Sequence, residues 1–181
     1  MKYPNDIMSE VLFTEQQIIS KAKELALRIN EDYQDKNLTI VCTLKGATLF
    51  FSDLMKFVNI DCQIEFIKAS SYIGNTTMTI GNVKISNVMN FPIKNQDILI
   101  VEDIVDTGLT CKELMEYFKK NQCRSVEICT MLDKPSRRKE NIQPKYIGYE
   151  IEDKFVIGYG LDYNESYRNL PCVGVINKKY I

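Results

Sequence analysis

Residues 97–118 read DILIVEDIVDTGLTCKELMEYF, and the texture of this stretch changes twice. Asp97 to Asp103 is an apolar, β-branched run of strand length. Asp106 to Thr110 is a loop of Asp, Thr and Gly, and Leu114, Met115 and Phe118 then fall on one face of a helix. Strand, tight loop and helix in that order predict one βα unit of a parallel sheet. Glu102 and Asp103 stand at the carboxyl end of the strand, where open parallel sheets bind their ligands. The loop opens straight into a helix start, and Glu113 three residues after Thr110 fits a capping box. Orphan N–H groups and the helix dipole favour a phosphate there; Gly108 lets the backbone approach it, and the Thr107 and Thr110 hydroxyls offer further bonds. Paired acids repel a bare phosphate, so they address another part of the same ligand, and vicinal hydroxyls are suitable donors. Phosphate plus diol describes a ribose 5-phosphate.

The same strand–turn–helix pattern lies upstream. Leu38 to Leu44 (LTIVCTL) is followed by Lys45-Gly46 and then by Leu49, Phe50, Leu54 and Phe57 at helical spacing. Ser125 to Leu132 is a third apolar run. Ahead of all three, Thr14 and Gln17 form a capping box for a helix from about Thr14 to Glu31, with Ile18, Ala22, Leu25, Ala26 and Ile29 facing a core. Strands alternating with helices predict an α/β fold, a twisted parallel sheet flanked by helices. After Leu132 comes a basic loop, Lys134 to Lys139. Tyr146–Ile151 and Phe155–Gly160 then flank Glu152-Asp153-Lys154 as an antiparallel hairpin would. Between Tyr72 and Asp97 there are five Asn, three Thr and two Gly, and only Val83 to Ile85 looks like a strand. So long an irregular segment in a compact domain suggests a lid or mobile hairpin.

At 181 residues, with 45% hydrophobic and 26% charged, the chain is of one-domain size and globular composition. A net charge of -1 supplies no field for nucleic acid or an acidic membrane, so neither is an expected partner. The sequence has no histidine, which removes Ser-His-Asp and Cys-His nucleophiles, His-ligated zinc and imidazole acid–base chemistry together. The six cysteines form no C-x-x-C, and Cys42 and Cys129 sit in strand-like runs; they are expected to be reduced and mostly buried. No apolar run approaches the roughly 18 residues that span a bilayer, and Met1 to Glu10 lacks a signal-peptide core, which suggests a cytoplasmic protein.

Rival phosphate motifs fit less well. A Walker A loop is absent, and Gly158-Tyr159-Gly160 lacks the third glycine and following helix of a dinucleotide fingerprint. A haloacid-dehalogenase-type phosphatase wants two aspartates two apart, whereas Asp103 and Asp106 are three apart. VEDIVDTGLT resembles the phosphoribosyl pyrophosphate loop of the type I phosphoribosyltransferases. Leu44-Lys45-Gly46, Ser70-Ser71-Tyr72, Leu132-Asp133-Lys134-Pro135, Asp153 to Tyr163 and Tyr167-Arg168-Asn169-Leu170-Pro171 are similar, in order and spacing, to the hypoxanthine-guanine branch of that family. The likeness covers about Leu38 to Val175, and the departure is Ile73 to Asn90, where Asn, Thr and Met replace the Gly/Ser-rich pattern of bacterial members.

The resemblance implies a single domain over 1–181, with a lid at about 70–96 and a hood from about 144–181 together with the N-terminal segment. It implies Mg²⁺-dependent transfer of phosphoribose from phosphoribosyl pyrophosphate to N9 of a 6-oxopurine, in a homodimer or homotetramer. Breaking the C1–oxygen bond needs charge stabilisation and water exclusion more than a nucleophile, so the missing histidine is no handicap. Glu102 and Asp103 are then assigned to the ribose hydroxyls and the metal region, and Asp106 to the general base facing purine N7. Asp106, Thr107, Gly108, Leu109 and Thr110 hold the phosphate. Asp162 is a Mg²⁺ ligand beside the base, and Lys134 selects a 6-oxo group over an amino group. Phe155 stacks on the purine, and Val156 offers backbone groups to it. Arg168, Lys45 and Gly46 meet pyrophosphate, while Ser71 and Tyr72 belong to the lid. Without the resemblance, Lys134 is a solvated surface lysine, Phe155 a core residue and Asp106 a loop-ordering acid. The competing class is a phosphoribosyltransferase-like nucleotide sensor. Against it, 37 residues precede Leu38, the expected first strand, too few for an added DNA-binding domain.

Overall fold

The computed structural model describes residues 6–71, 79–80, 83–87 and 92–181. In chain order these form β1 (Met8–Phe13), α1 (Glu15–Tyr33), β2 (Leu38–Leu44), α2 (Thr48–Met55), β3 (Cys62–Ser71), β4 (Thr79–Ile80) and β5 (Val83–Asn87). β6 (Asp97–Val105), α3 (Leu109–Lys120), β7 (Ser125–Asp133), β8 (Tyr146–Glu150), β9 (Val156–Ile157) and β10 (Val173–Ile176) complete it. Five strands, β3-β2-β6-β7-β8, are mutually parallel, and β5 and β4 extend the β3 edge antiparallel. A second sheet, β1-β10-β9, is antiparallel.

The central strands read as unbroken apolar runs because both faces are covered. Leu38, Ile40, Cys42, Leu99, Val101, Cys129 and Met131 point to α1 and α2, where Ile18, Leu25, Ile29, Phe50 and Leu54 are fully buried. The alternate residues Val41, Ile98, Ile100 and Ile128 point to Cys111, Leu114 and Phe118 of α3. Thr14 caps α1 as the sequence predicts: its hydroxyl accepts from Gln17 N–H while the Gln17 side chain accepts from Thr14 N–H. A cap of this kind is worth about 1 kcal/mol.

Several expectations change. The strands around Glu152-Asp153-Lys154 do not form a hairpin. β8 is the parallel edge strand against β7, held inward by fully buried Tyr146, and β9 crosses to pair with β10 in the other sheet. The first strand is β1, not the one at Leu38, and α1 continues to Tyr33. α2 stops at Met55, so Phe57 lies beyond it, and Leu49 faces solvent. Thr110 does not cap α3: Gly108 holds that position at φ 83°, a left-handed conformation that suits glycine. All six cysteines are free thiols, but only Cys42, Cys111 and Cys129 are buried. No helix among the described residues is long and apolar enough to cross a membrane.

Candidate active site

The carboxyl ends of β2, β6 and β7 converge on one cleft. A pocket of about 240 Å³ is lined by Thr43, Gly46, Glu102, Asp103, Asp106 to Gly108 and Thr110. Its neighbour, about 260 Å³, is lined by Asp106, Lys134, Arg137, Asp153, Phe155 and Val156. Asp106 and Ile104 border both, so the two pockets are halves of one site. Lys134 N–H donates to Val105 O at 2.9 Å, which ties the end of β7 to the end of β6 and sets the two halves side by side.

In the first pocket, Glu102 is 5% exposed and its Oε1 has no hydrogen-bond partner among the described residues. Burial pushes the Glu102 carboxyl well above the usual carboxylate range, and the neighbouring Asp103 charge adds to the shift. Burial also raises Asp103, opposed by the Ile104 N–H that donates to its Oδ1 at 3.0 Å and by the charge of Arg168, while Asp162 adds to the rise. Two desolvated acids side by side need hydroxyl donors or a cation. The loop after them is braced from behind: Lys139 and Glu140 N–H both donate to Thr107 O, at 2.9 and 3.2 Å, and Arg138 Nη1 donates to Asp106 O at 3.1 Å. Arg138 itself is held by an ion pair with buried Asp133. The loop carbonyls are engaged there, and the first-turn N–H groups of α3 have no intrahelical acceptors, as at any helix start, where an anion is favoured. Leu109 is the first residue of that turn, and its own N–H donates to Thr107 Oγ1 at 3.4 Å.

In the second pocket, Lys134 is not the solvated lysine its basic loop suggests; it is 7% exposed, and its Nζ donates to Lys154 O at 2.7 Å. Phe155 is 49% exposed, edge-on to Tyr163 at 5.7 Å, and so presents a free aromatic face; Val156 is buried in β9. Lys45 and Gly46 form the β2–α2 turn, which follows a cis Leu44–Lys45 peptide. A Cβ on Gly46 would overlap Asp103 Oδ2, and one on Gly160 would overlap Gly46 O, so the two turns pack backbone to backbone against the acids. Arg168 Nη1 donates to Gly160 O at 2.8 Å, and its Nη2 pairs with Asp162 Oδ1 at 2.8 Å. Lys45 pairs with Glu165 at 2.7 Å. Ser71 ends β3, while Tyr72 and most of the stretch Ile73 to Asn90 lie outside the described residues.

Sequence reasoning passed over Arg137, Arg138, Asp153 and Glu165. Asp153 opens one of the stretches that carry the resemblance, and the other three fall outside them; the fold puts Arg137 and Asp153 on the wall of the second pocket, Arg138 behind the phosphate loop and Glu165 against Lys45 and Arg168.

The phosphoribosyl transferase domain profile matches residues 9–164. The chain belongs to the phosphoribosyl transferase family. Among members of this family it is 47% identical over 172 residues to the hypoxanthine-guanine phosphoribosyltransferase of Staphylococcus aureus, covering 95% of each chain. A crystal structure of hypoxanthine phosphoribosyltransferase from the same organism superposes with a TM-score of 0.91 at 42% identity, over 100% of this chain and 99% of that one. A hypoxanthine-guanine phosphoribosyltransferase structure from Bacillus anthracis gives 0.86 at 36% identity, over 94% and 98%. The family likeness therefore spans both pockets and the sheet that joins them.

Proposed function

We propose that this phosphoribosyl transferase moves the 5-phosphoribosyl group of phosphoribosyl pyrophosphate to N9 of hypoxanthine or guanine, giving IMP or GMP and pyrophosphate in purine salvage. The observation that carries it is the shared wall of the two pockets. Asp106 borders both a cleft with paired acids and a helix start, suited to ribose phosphate, and a pocket with a buried lysine and an aromatic face, suited to a 6-oxopurine. Glu102 and Asp103 accept from the ribose hydroxyls, and the loop from Asp106 to Thr110 holds the 5-phosphate. Lys134 donates to the 6-oxo group and confronts adenine's amino hydrogens with another donor. Phe155 stacks on the ring, and Val156 contributes backbone groups at its edge. Asp106 takes the proton from N7, which makes N9 the better nucleophile. Lys45, Gly46 and Arg168 meet the pyrophosphate, and Ser71 and Tyr72 belong to the lid.

Mg²⁺ fits this donor set. Glu102 and Asp103 are desolvated carboxylates with raised pKa values, which a cation would relieve, and Mg²⁺ takes carboxylates together with substrate oxygens. Asp162, Glu102 and Asp103 are the residues that would hold it, and it would offset the charge of the pyrophosphate. For assembly we favour a homodimer or homotetramer. In support, Ile64 and Phe66 of β3 are 50% and 38% exposed on one face, and Phe66 packs at 5.5 Å against Phe51 of α2. A cytoplasmic location suits six free thiols.

The deciding measurement is pyrophosphate release with hypoxanthine, guanine, xanthine or adenine, each with the ribosyl donor and with or without Mg²⁺. Turnover of the first two, dependent on metal and absent with adenine, is expected. Tight nucleotide binding without turnover would replace the enzyme with a nucleotide sensor.

A further inference from the structure

Residues 163–166 form a turn that no step of the proposed reaction uses. Tyr163 N–H donates to Ser166 O at 3.2 Å and Ser166 N–H to Tyr163 O at 3.0 Å, which makes Asn164 and Glu165 the two central residues of a tight hairpin. Their φ angles are 50° and 62°. Positive φ at both central positions is the type I′ pattern, for which Asn-Gly is the preferred pair. Asparagine suits the first position. A glutamate at the second sets a side chain where the backbone favours none. An outlier of this kind calls for a role for that side chain.

The carboxylate of Glu165 lies across two cations. Its Oε2 accepts from Lys45 Nζ at 2.7 Å, and its Oε1 pairs with Arg168 Nη2 at 3.3 Å. The turn is locked in register with them, because Glu165 N–H donates to Asp162 Oδ2 at 2.9 Å while Asp162 Oδ1 also meets Arg168. Lys45 and Arg168 come from turns far apart in sequence, and they are the two cations assigned above to pyrophosphate. We propose that Glu165 is an internal anion that competes with pyrophosphate for Lys45 and Arg168, and so sets donor affinity and hastens release of the product.

The exposures fit such a competitor. The Lys45 and Glu165 side chains are 56% and 66% exposed, so their pair is solvent-screened and weak, and a multiply charged pyrophosphate displaces it readily. The displaced carboxylate stays tethered by its turn at high effective concentration, ready to re-pair as pyrophosphate leaves. Because the competition is an equilibrium property, donor and product feel it alike.

The inference rests on the proposed function, which places pyrophosphate at these two cations. Its test compares Glu165→Gln, Glu165→Gly and Arg168→Gln with the parent chain in calorimetric titrations with inorganic pyrophosphate and Mg²⁺, alongside donor KM. Glu165→Gly supplies the residue the turn prefers, so a folded variant lacking the carboxylate is in hand even if Glu165→Gln disturbs the loop. Both Glu165 variants are expected to bind pyrophosphate tighter by roughly 2- to 5-fold, the range of an exposed ion pair, with donor KM lowered in step and base KM unchanged. Unchanged or weaker pyrophosphate binding in both, with Arg168→Gln clearly weakened, would overturn the competition alone. Undiminished binding in Arg168→Gln would instead remove pyrophosphate from this cluster, and with it the reading on which the inference stands.

Discussion

Arg137 Nε donates to Asp106 Oδ1 at 2.8 Å, while its Nη1 reaches both carboxylate oxygens of Asp153 at 3.3 and 3.4 Å. One guanidinium thus spans the base pocket and fixes the orientation of the acid assigned to proton removal. Asp106→Asn keeps the size and an acceptor for Arg137 but is a far weaker base. The single-turnover rate is expected to fall by roughly 10²- to 10⁴-fold with little change in donor or base affinity. Single-turnover conditions matter because slow nucleotide release would mask the chemical step in kcat. A wild-type single-turnover rate would leave Asp106 as a loop-ordering residue held by Arg137 and Arg138.

Lys134 lies where little water reaches it, with one hydrogen bond to Lys154 O and Asp153 Oδ1 at 3.9 Å. In the proposed reaction the 6-oxo oxygen of the purine supplies a further acceptor. Lys134→Ala is expected to weaken hypoxanthine and guanine by about 10- to 150-fold, the equivalent of a charge-assisted bond of about 1.5–3 kcal/mol, and to leave donor KM nearly intact. Equal loss of base and donor would show that the lysine holds the β7 end in place instead.

The parallel sheet was legible because its strands are buried on both faces and read as unbroken runs such as LTIVCTL and DILIVED. β3 was harder to see: it alternates Cys62, Ile64 and Phe66 with Gln63 and Glu65, and two of those apolar residues remain exposed. β8 and β9 misled because adjacency in sequence says nothing about which sheet each strand joins, and five residues suffice to cross between the two. The acidic pair and the Asp106 to Thr110 loop are contiguous, so one motif held most of the ribose phosphate cleft. The base pocket is assembled from β7, the loop after it and the start of β9, and without a resemblance Lys134 carried no signal. Gly108 rather than Thr110 starts α3 because the chain must turn through a left-handed residue to enter the helix, a demand that capping-box spacing does not encode.

Gly46 belongs to the first turn for a steric reason that its own conformation does not show. A methyl group there would overlap the Asp103 carboxylate, a half-buried group whose pKa desolvation already raises. Gly46→Ala is therefore expected to push Asp103 off its position and raise donor KM about 10-fold or more. Overpacking of this kind costs about 1–3 kcal/mol, and each kcal/mol lowers Tm by about 2–4 °C in a chain of this size. Donor KM and thermal unfolding measured together check it. A wild-type KM with an unchanged Tm would mean that the turn and the acid are not packed as described.

Glu102 gives a pH signature with a definite sign. Its carboxyl is raised well above 4.5, first by burial and then by the Asp103 charge, so the folded chain holds that proton more tightly than the unfolded chain does. The penalty is absent below the unfolded value and grows as pH rises toward the folded one, above which it is fully present. Glu102→Gln removes the charge and keeps the shape. The variant and the parent are expected to unfold at similar temperatures near pH 4.5, with the variant increasingly the more stable toward pH 8, each kcal/mol of relief reading as about 2–4 °C. Donor affinity should fall in the same variant, since a carboxylate aimed at ribose hydroxyls has been replaced by a weaker acceptor. Acids elsewhere with lowered values, such as Asp32 held by Lys145 and Tyr146, lose their contribution as pH falls in both proteins alike, so the difference between the two melts isolates Glu102. A gap that stays constant from pH 4.5 to 8 would show that Glu102 ionises in the folded chain as freely as in water.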